Sequence, residues 1–440
     1  MVNADASPAA KENGPGWRYY LQRPVLVIFF LGFSGGLPFP LVYSTLTGWL
    51  ESADIQRSTI STFAWLGFAY SFKFLWSPLI DRVELPFLTR WLGRRRAWLL
   101  LSQTLLGISL LSLTIVDPKL EMAAFATIAL AVAFLSATQD IAIDAYRIES
   151  AEQELQSVLA ASYQYGYRLA VVVATAGAFY ISDIGSWSLA YQLMAGGMAV
   201  GFITTLLCRE PVVQAGLSRQ LSGSVTQQAQ QWLYIAAVEP FVDFVQRYGS
   251  RSLLLLAFIA SFYVSDRVLG ILASPFYLDL GFTGTQIAVV AKLYGFWVSL
   301  IGIGAGAAAA IKFGLARCVI AATLLIVSTN LFFALLVVTG PRLEILALTI
   351  SFDNFALAFG STIMIAFMSS FVNVKFTATQ YALLSSISTF FGKLLAGFSG
   401  NVQMGVGWFD FFLYAAGTGV PAIVLSILVA RAMLTEQKLE

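Results

Sequence analysis

The 440-residue sequence contains no histidine, two cysteines and few charges: 11% of its residues are Asp, Glu, Lys or Arg. Each scarcity excludes something. Without histidine there is no imidazole base to activate a serine nucleophile. One run, Gly32-Phe33-Ser34-Gly35-Gly36, fits G-x-S-x-G; lacking a base, it reads as glycines for close helix packing, and an enzyme is not expected. Any side-chain proton carrier would be a carboxylate. Cys208 and Cys318 each fall near a predicted cytoplasmic helix end, which argues against a structural disulfide or a metal site. No cofactor is called for. Soluble domains are about a quarter charged, so 58% hydrophobic residues and a mean hydropathy of +0.77 describe an integral membrane protein. A net charge of +2 invites no nucleic-acid partner.

What is present is a series of long apolar runs. They are continuous, not alternating as in membrane barrel strands. They predict an all-α integral membrane protein of about twelve spanning helices. These cover roughly 24–47, 58–80, 97–116, 122–146, 157–181 and 188–208, then 252–274, 285–308, 318–339, 345–371, 379–399 and 409–430. The loop after helix 2 carries Arg82, Arg90, Arg94, Arg95 and Arg96, and that after helix 8 carries Lys312 and Arg317. By the positive-inside rule these loops, and both termini, face the cytoplasm. Residues 1–16 lack a basic region before an apolar stretch, so a short disordered tail is expected there, not a cleaved signal. Trp17, Trp49, Trp91, Trp187 and Trp408 fall where an aromatic belt would sit.

The longest polar stretch, 209–250, divides the chain into halves 1–208 and 251–440. It begins as a Gln- and Ser-rich linker. Over 232–248, Leu233, Ala237, Phe241, Phe244, Val245 and Tyr248 recur at near-helical spacing, predicting an in-plane interfacial helix. Six spans, a linker and six more spans form the plan of the major facilitator superfamily, with two pseudo-symmetric halves around a midplane site. A weak repeat agrees: Tyr165-Gly166-Tyr167-Arg168-Leu169 in helix 5 answers Phe390-Phe391-Gly392-Lys393-Leu394 in helix 11. A lone cation sits at matching places.

Few ionisable residues fall inside the spans: Lys73, Asp140, Asp144, Arg168, Asp266, Arg267, Lys292, Asp353 and Lys393. Each costs on the order of 3 kcal/mol on insertion scales if unpaired at the bilayer centre. Such residues usually face a cavity, a partner or an ion path. Asp140 and Asp144, one helical turn apart, share a face. With Asp266 and Asp353 they are the proton-coupling candidates; structural pairing of Asp140 and Asp144 with Arg147, Lys73 or Arg168 is the competing reading. Asp266 and Arg267 are adjacent, point differently and are expected to pair with other helices. Arg168 and Lys393 are the preferred anion contacts, one from each half. Lys73, Lys292 and Arg267 are further cationic candidates, though Lys292 can instead snorkel. Gln139, Asn330, Asn354, Tyr163 and Tyr167 can serve hydroxyls and sugar faces. Asp81 with Arg82, Arg94, Arg95 and Arg96 forms a candidate gating loop, an acid against arginines and helix ends. Plain topology determination is the alternative for the arginines.

Several motifs are more specific. Phe72 to Arg82, Gly93-Arg94-Arg95-Arg96, Ser136 to Asp140 with Asp144-Ala145, Gly166-Tyr167-Arg168-Leu169, Asp353-Asn354-Phe355 and Phe376 to Ser385 resemble the AmpG-type muropeptide permeases of the major facilitator superfamily. The gating loop departs from the superfamily's pattern, with Ser77 for the leading glycine and an insertion over 83–92. The resemblance implies proton-driven import of anhydro-muropeptides across the bacterial inner membrane for peptidoglycan recycling, and in some bacteria a link to β-lactam resistance. It implies protons and membrane lipid as the other partners, with a monomer expected. A related branch carries acetyl-coenzyme A, so another anionic metabolite is the alternative substrate. A non-transporting membrane receptor is the alternative class.

Overall fold

Proline and glycine set some of the bends in the long apolar runs. A computed structural model describes residues 22–211, 231 and 234–436. The expected tail over 1–16, Trp17, Trp232, Leu233 and most of the Gln- and Ser-rich linker lie outside these. Among the described residues there is no strand, and the helical pieces group into twelve segments, six before the linker and six after.

Ten segments are long and apolar enough to cross a membrane. They are helix 1 (Arg23–Ser52), helix 3 (Arg94–Leu113), helix 4 (Met122–Glu149), helix 5 (Gln153–Ile184), helix 6 (Trp187–Leu207), helix 7 (Arg251–Leu280), helix 8 (Gly284–Phe313), helix 9 (Leu315–Thr339), helix 10 (Leu343–Ser370) and helix 12 (Ser399–Thr435). The remaining two, helix 2 (57–82) and helix 11 (Thr377–Ala396), differ for physical reasons. Helix 2 is broken by tight 3-10 turns at Phe63–Leu66 and Lys73–Leu75, and Pro78 opens its last piece. Helix 11 is rich in hydroxyls and carries Gln380 and Lys393. The broken helix 2 and the hydroxyl-rich helix 11 pack against each other across the two halves.

Helix 2 aside, three spans are interrupted, helix 1 among them within the Gly32 to Pro40 run, whose glycines and prolines suggest a pliable or close-packed span. Helix 1 runs as Arg23–Gly36, Pro38–Leu41 and Ser44–Ser52: Pro38 and Pro40 have no N–H to donate, and the main chain leaves helical geometry at Tyr43. Helix 7 runs as Arg251–Ser261, Val264–Gly270 and Ala273–Leu280. Helix 12 begins about ten residues before its apolar run and kinks at Gly407, whose φ of 79° suits a residue without Cβ.

The Gly32–Gly36 run is a packing face. A Cβ on Gly32 or Gly36 would overlap the main chain of Tyr163 or Tyr167, and one on Gly166 would overlap that of Phe29. Helices 1 and 5 therefore meet backbone to backbone, the small-residue contact typical of membrane helices. Trp49 departs from the aromatic-belt expectation. It is buried in the first half's core, 4.6 Å from the Tyr191 ring and stacked on Trp187 at 6.4 Å. Trp91 is exposed, as a belt residue would be. Between the halves, Ala161, Ile303, Ala307 and Ala358 form a fully buried patch of small side chains.

The linker's helix, Glu239–Tyr248, follows a wide turn at Tyr234–Val238. Instead of resting only on lipid, it buries Pro240 and Phe244 and is clamped to helix 11. Gln380 Nε2 donates to the Pro240 carbonyl and to Asp243, both at 2.8 Å, and Arg247 donates to Gln380 Oε1 at 3.0 Å. Arg82 of helix 2 reaches the Ile235 carbonyl at 2.9 Å. The linker thus touches both halves at the end of the bundle that bears the arginine loop, called the basic end below.

Candidate functional site

At the basic end, Pro78 starts the final turn of helix 2 and delivers Asp81 into the protein. Its carboxylate accepts hydrogen bonds from the main-chain N–H groups of Ala378 (3.0 Å) and Thr379 (2.8 Å) and from the Thr379 hydroxyl (2.7 Å). These are the first N–H groups of helix 11, which have no partners within their own helix and carry the positive end of its dipole. Arg95 holds the other side. Its guanidinium donates to Asp81 at 2.8 Å, to Glu149 at 2.5 and 2.9 Å, and to the Ile80 carbonyl at 3.0 Å. Side-chain exposure across this triad is 1% or less. Arg94 donates to the Asp81 carbonyl at 2.6 Å.

Arg96 instead turns to helix 6, donating to the carbonyls of Thr205 (2.8 Å) and Leu206 (2.7 Å). Glu210 caps helix 3 by accepting from the N–H groups of Arg95 and Arg96. Burial raises the Glu210 carboxyl above its usual range, against the pull of those donors. The five gating-loop candidates therefore divide. Asp81, Arg94 and Arg95 form one buried knot, Arg82 holds the linker, and Arg96 ties helix 3 to helix 6.

Deeper in the bundle the charged residues form a chain through both halves. Arg147, fully buried, donates to Ser369 of helix 10 at 3.0 Å, lies over the Tyr381 ring at 5.1 Å and pairs with Asp144 at 3.4 Å. Asp144 pairs in turn with Lys73 at 3.7 Å. Lys73 is within electrostatic reach of Asp140 and of Lys393. Lys393 crosses the halves to donate to Ser71 at 3.0 Å, and it also feels Arg267. Arg267 pairs with its neighbour Asp266 at 3.8 Å. Those two were expected to pair with other helices; their ion pair is instead with each other, inside the piece Val264–Gly270. Arg168 and Asp353 complete the chain through their interaction with Asp266.

Asp140 differs from the other acids of helix 4. Asp144 has Lys73 and Arg147, and Glu149 has Arg95. Asp140 Oδ1 is buried with no hydrogen-bond partner, as are both amide atoms of neighbouring Gln139. Gly35 and the Tyr163 hydroxyl approach the same spot. Tyr163 and Tyr167, with ring centroids 5.8 Å apart, wall it on the helix 5 side. Unpaired buried polar atoms are costly, so this corner is poised for a proton or a ligand group.

Other candidates lie apart. Asn330 donates to Ser265 at 2.6 Å in the packing of helices 7 and 9. Asn354 accepts from Ser299 at 3.1 Å, joining helices 8 and 10. Lys292 is exposed on a wide π-helical turn of helix 8. Sequence reasoning missed the ties between the halves midway along the bundle. Gln164 donates to Thr362 and accepts from Ser361, both at 2.6 Å, and Tyr165 donates to the Leu300 carbonyl at 3.0 Å. Among the described residues, the hydrogen bonds that join the halves lie at the basic end or midway, not at the opposite end.

A protein-family model described as acetyl-coenzyme A transporter 1 matches residues 24–177. Curated relatives extend over most of the chain. The sequence is 35% identical over 403 residues to a putative transporter AmpG 4 of Rickettsia felis, covering 90% of this chain and 94% of the relative. It is 32% identical over 421 residues to the anhydromuropeptide permease of Escherichia coli K12, covering 95% of this chain and 82% of the relative. Among solved structures, the proton:xylose symporter XylE of the major facilitator superfamily superposes with a TM-score of 0.67 at 14% identity, over 94% of this chain and 96% of that one. The human organic anion transporter MFSD10 gives 0.65 at 17% identity, over 92% and 99%. Both likenesses concern the fold.

Proposed function

Because the chain belongs to the AmpG family of permeases and has the major facilitator fold, we propose that it is a proton-coupled symporter importing anhydro-muropeptides from periplasm to cytoplasm for peptidoglycan recycling. In this reading the basic end faces the cytoplasm, with both termini, and the halves 1–208 and 251–440 rock about a central site. Arg168 and Lys393 receive stem-peptide carboxylates, arginine with its planar fork. Tyr163, Tyr167 and Gln139 meet the sugars. Asp81, Arg94 and Arg95 hold the cytoplasmic gate shut while the site loads from the far side.

The observation that carries the coupling role is the orphaned Asp140 oxygen. It lacks the partners that neutralise Asp144 and Glu149, while Lys73 stands within electrostatic reach. Substrate or conformational change that moves Lys73 would decide whether Asp140 holds a proton. Asp353 is the matching candidate in the second half.

The test is uptake of labelled anhydro-muropeptide into proteoliposomes, with and without an inward proton gradient. Gradient-driven accumulation is expected, and Asp140→Asn should abolish accumulation while sparing exchange. Uptake indifferent to the gradient sinks symport, and wild-type accumulation in the variant removes Asp140 from coupling. Binding without uptake marks a receptor. The match over 24–177 favours acetyl-coenzyme A as the second substrate reading, so unlabelled acetyl-coenzyme A is the competitor to include.

A further inference from the structure

Two cavities outside the central site share two residues. The first, of about 620 Å³, is an apolar groove on the outer face of helices 1 and 6, walled by Leu26, Phe30, Val200 and Ile203. The second, of about 760 Å³, opens at the basic end beside Tyr146, Ser150, Glu152 and Arg209. Arg23 and Val27 line both. Each volume falls within the roughly 300–1,000 Å³ of small-molecule pockets. An apolar trough on the outer surface thus adjoins a pocket of mixed lining, with a guanidinium at the junction.

The cations there are held in place. Arg23 donates to the Leu207 carbonyl at 2.7 Å, and Arg96 takes the two carbonyls before it. Helix 6 ends with these groups stacked around it, and Arg209 follows, exposed. The nearby acids are largely spoken for. Glu149 is paired with Arg95, and Glu210 caps helix 3. Only Glu152 is exposed on the pocket's edge. Arg23 and Arg209 are thus the cations that the junction offers to whatever fills the groove, with Glu152 the exposed acid beside them.

We propose that this is a binding site for one anionic glycerophospholipid of the leaflet at the basic end. Its acyl chain lies in the groove between helices 1 and 6, and its phosphate sits between Arg23 and Arg209. Any membrane-facing groove takes up acyl chains; the two arginines make this one selective for a negative headgroup. A cation near an anionic membrane surface favours the anionic lipid by about fivefold, so the pair favours it by about twenty-fivefold.

The test is native mass spectrometry of the detergent-solubilised full chain titrated with dioleoyl-phosphatidylglycerol or dioleoyl-phosphatidylcholine. A preference for phosphatidylglycerol of about twenty-fivefold is expected, falling to near unity in the Arg23→Gln, Arg209→Gln double variant. Arg209→Gln alone, should the double variant not fold, is expected to lose about fivefold. Arg90→Gln, remote from the groove, should change nothing. Equal binding of the two lipids overturns the proposal, as does an unaffected double variant. Displacement by millimolar inorganic phosphate makes it a free-anion site instead. Binding that appears only after deletion of residues 1–21 makes the groove a seat for the chain's own N-terminal segment.

Discussion

Arg95 concentrates more hydrogen bonding than any other cation of the arginine loop, and its partners are two buried carboxylates. Removing one member of such a set leaves uncompensated charge, at a cost of about 3–5 kcal/mol. Arg95→Gln is therefore expected to lower the thermal stability of the purified protein sharply, read by size-exclusion survival after heating. Arg90→Gln, exposed, should stay within about 0.5 kcal/mol of wild type. Equal melting of the two variants would show that the knot carries no stability. At this scale the sequence exposed the actors but not their pairings. Asp81 and the arginines stand out as charge beside apolar runs. Glu149 lies 54 residues from Arg95, and Ala378 lies 297 from Asp81; such pairings follow from which helices meet, which local pattern does not encode. The helix 11 N–H groups are invisible to residue-type reasoning because they belong to the backbone.

Helices 1 and 5 make the clearest prediction at the level of elements. A methyl on Gly166 has nowhere to go but the main chain of helix 1, whereas one on Gly196 meets nothing within 4 Å. Gly166→Ala should cost about 1–3 kcal/mol through overpacking, and Gly196→Ala should be neutral or slightly stabilising as a helix substitution. Comparable melting temperatures would mean that the two helices can separate at no cost. Helix number, type and order were legible because long apolar runs admit few alternatives in a membrane. The breaks in helices 2 and 7 were not, since only Pro78 among their turns carries a strong local signal. The internal repeat was legible only in part. Gly166 and Gly392 each seat their helix against the first helix of its half, on Phe29 and Arg267 respectively. The cations that follow stand at glycine plus two in one half and plus one in the other, about 100° apart around the helix.

For the whole molecule, the distribution of ties between the halves predicts where they must part. With Cys208 and Cys318, both free and buried, replaced by alanine, cysteines at Asp81 and Thr379 should crosslink on oxidation. Transport in proteoliposomes should stop, and reduction should restore what the Asp81 substitution leaves. Undiminished transport in the crosslinked protein would mean that the basic end does not open. The charge chain from Arg147 to Asp353 was partly legible, because every member after Arg147 is an ionisable residue in a predicted span. Its order was not, since that follows from which helices meet.

The grip of Asp81 on helix 11 has one more consequence. Two of its three donors there are main-chain N–H groups, so the contact reads position, not side-chain identity. Exchange of the residue at 378 for any other amino acid but proline leaves its donor in place, whereas sliding helix 11 by one residue, about 1.5 Å, takes both away. The basic end is thus fastened by something mutation can scarcely erode and small movement can undo. Such a fastening can hold firmly at rest and still let go in one step.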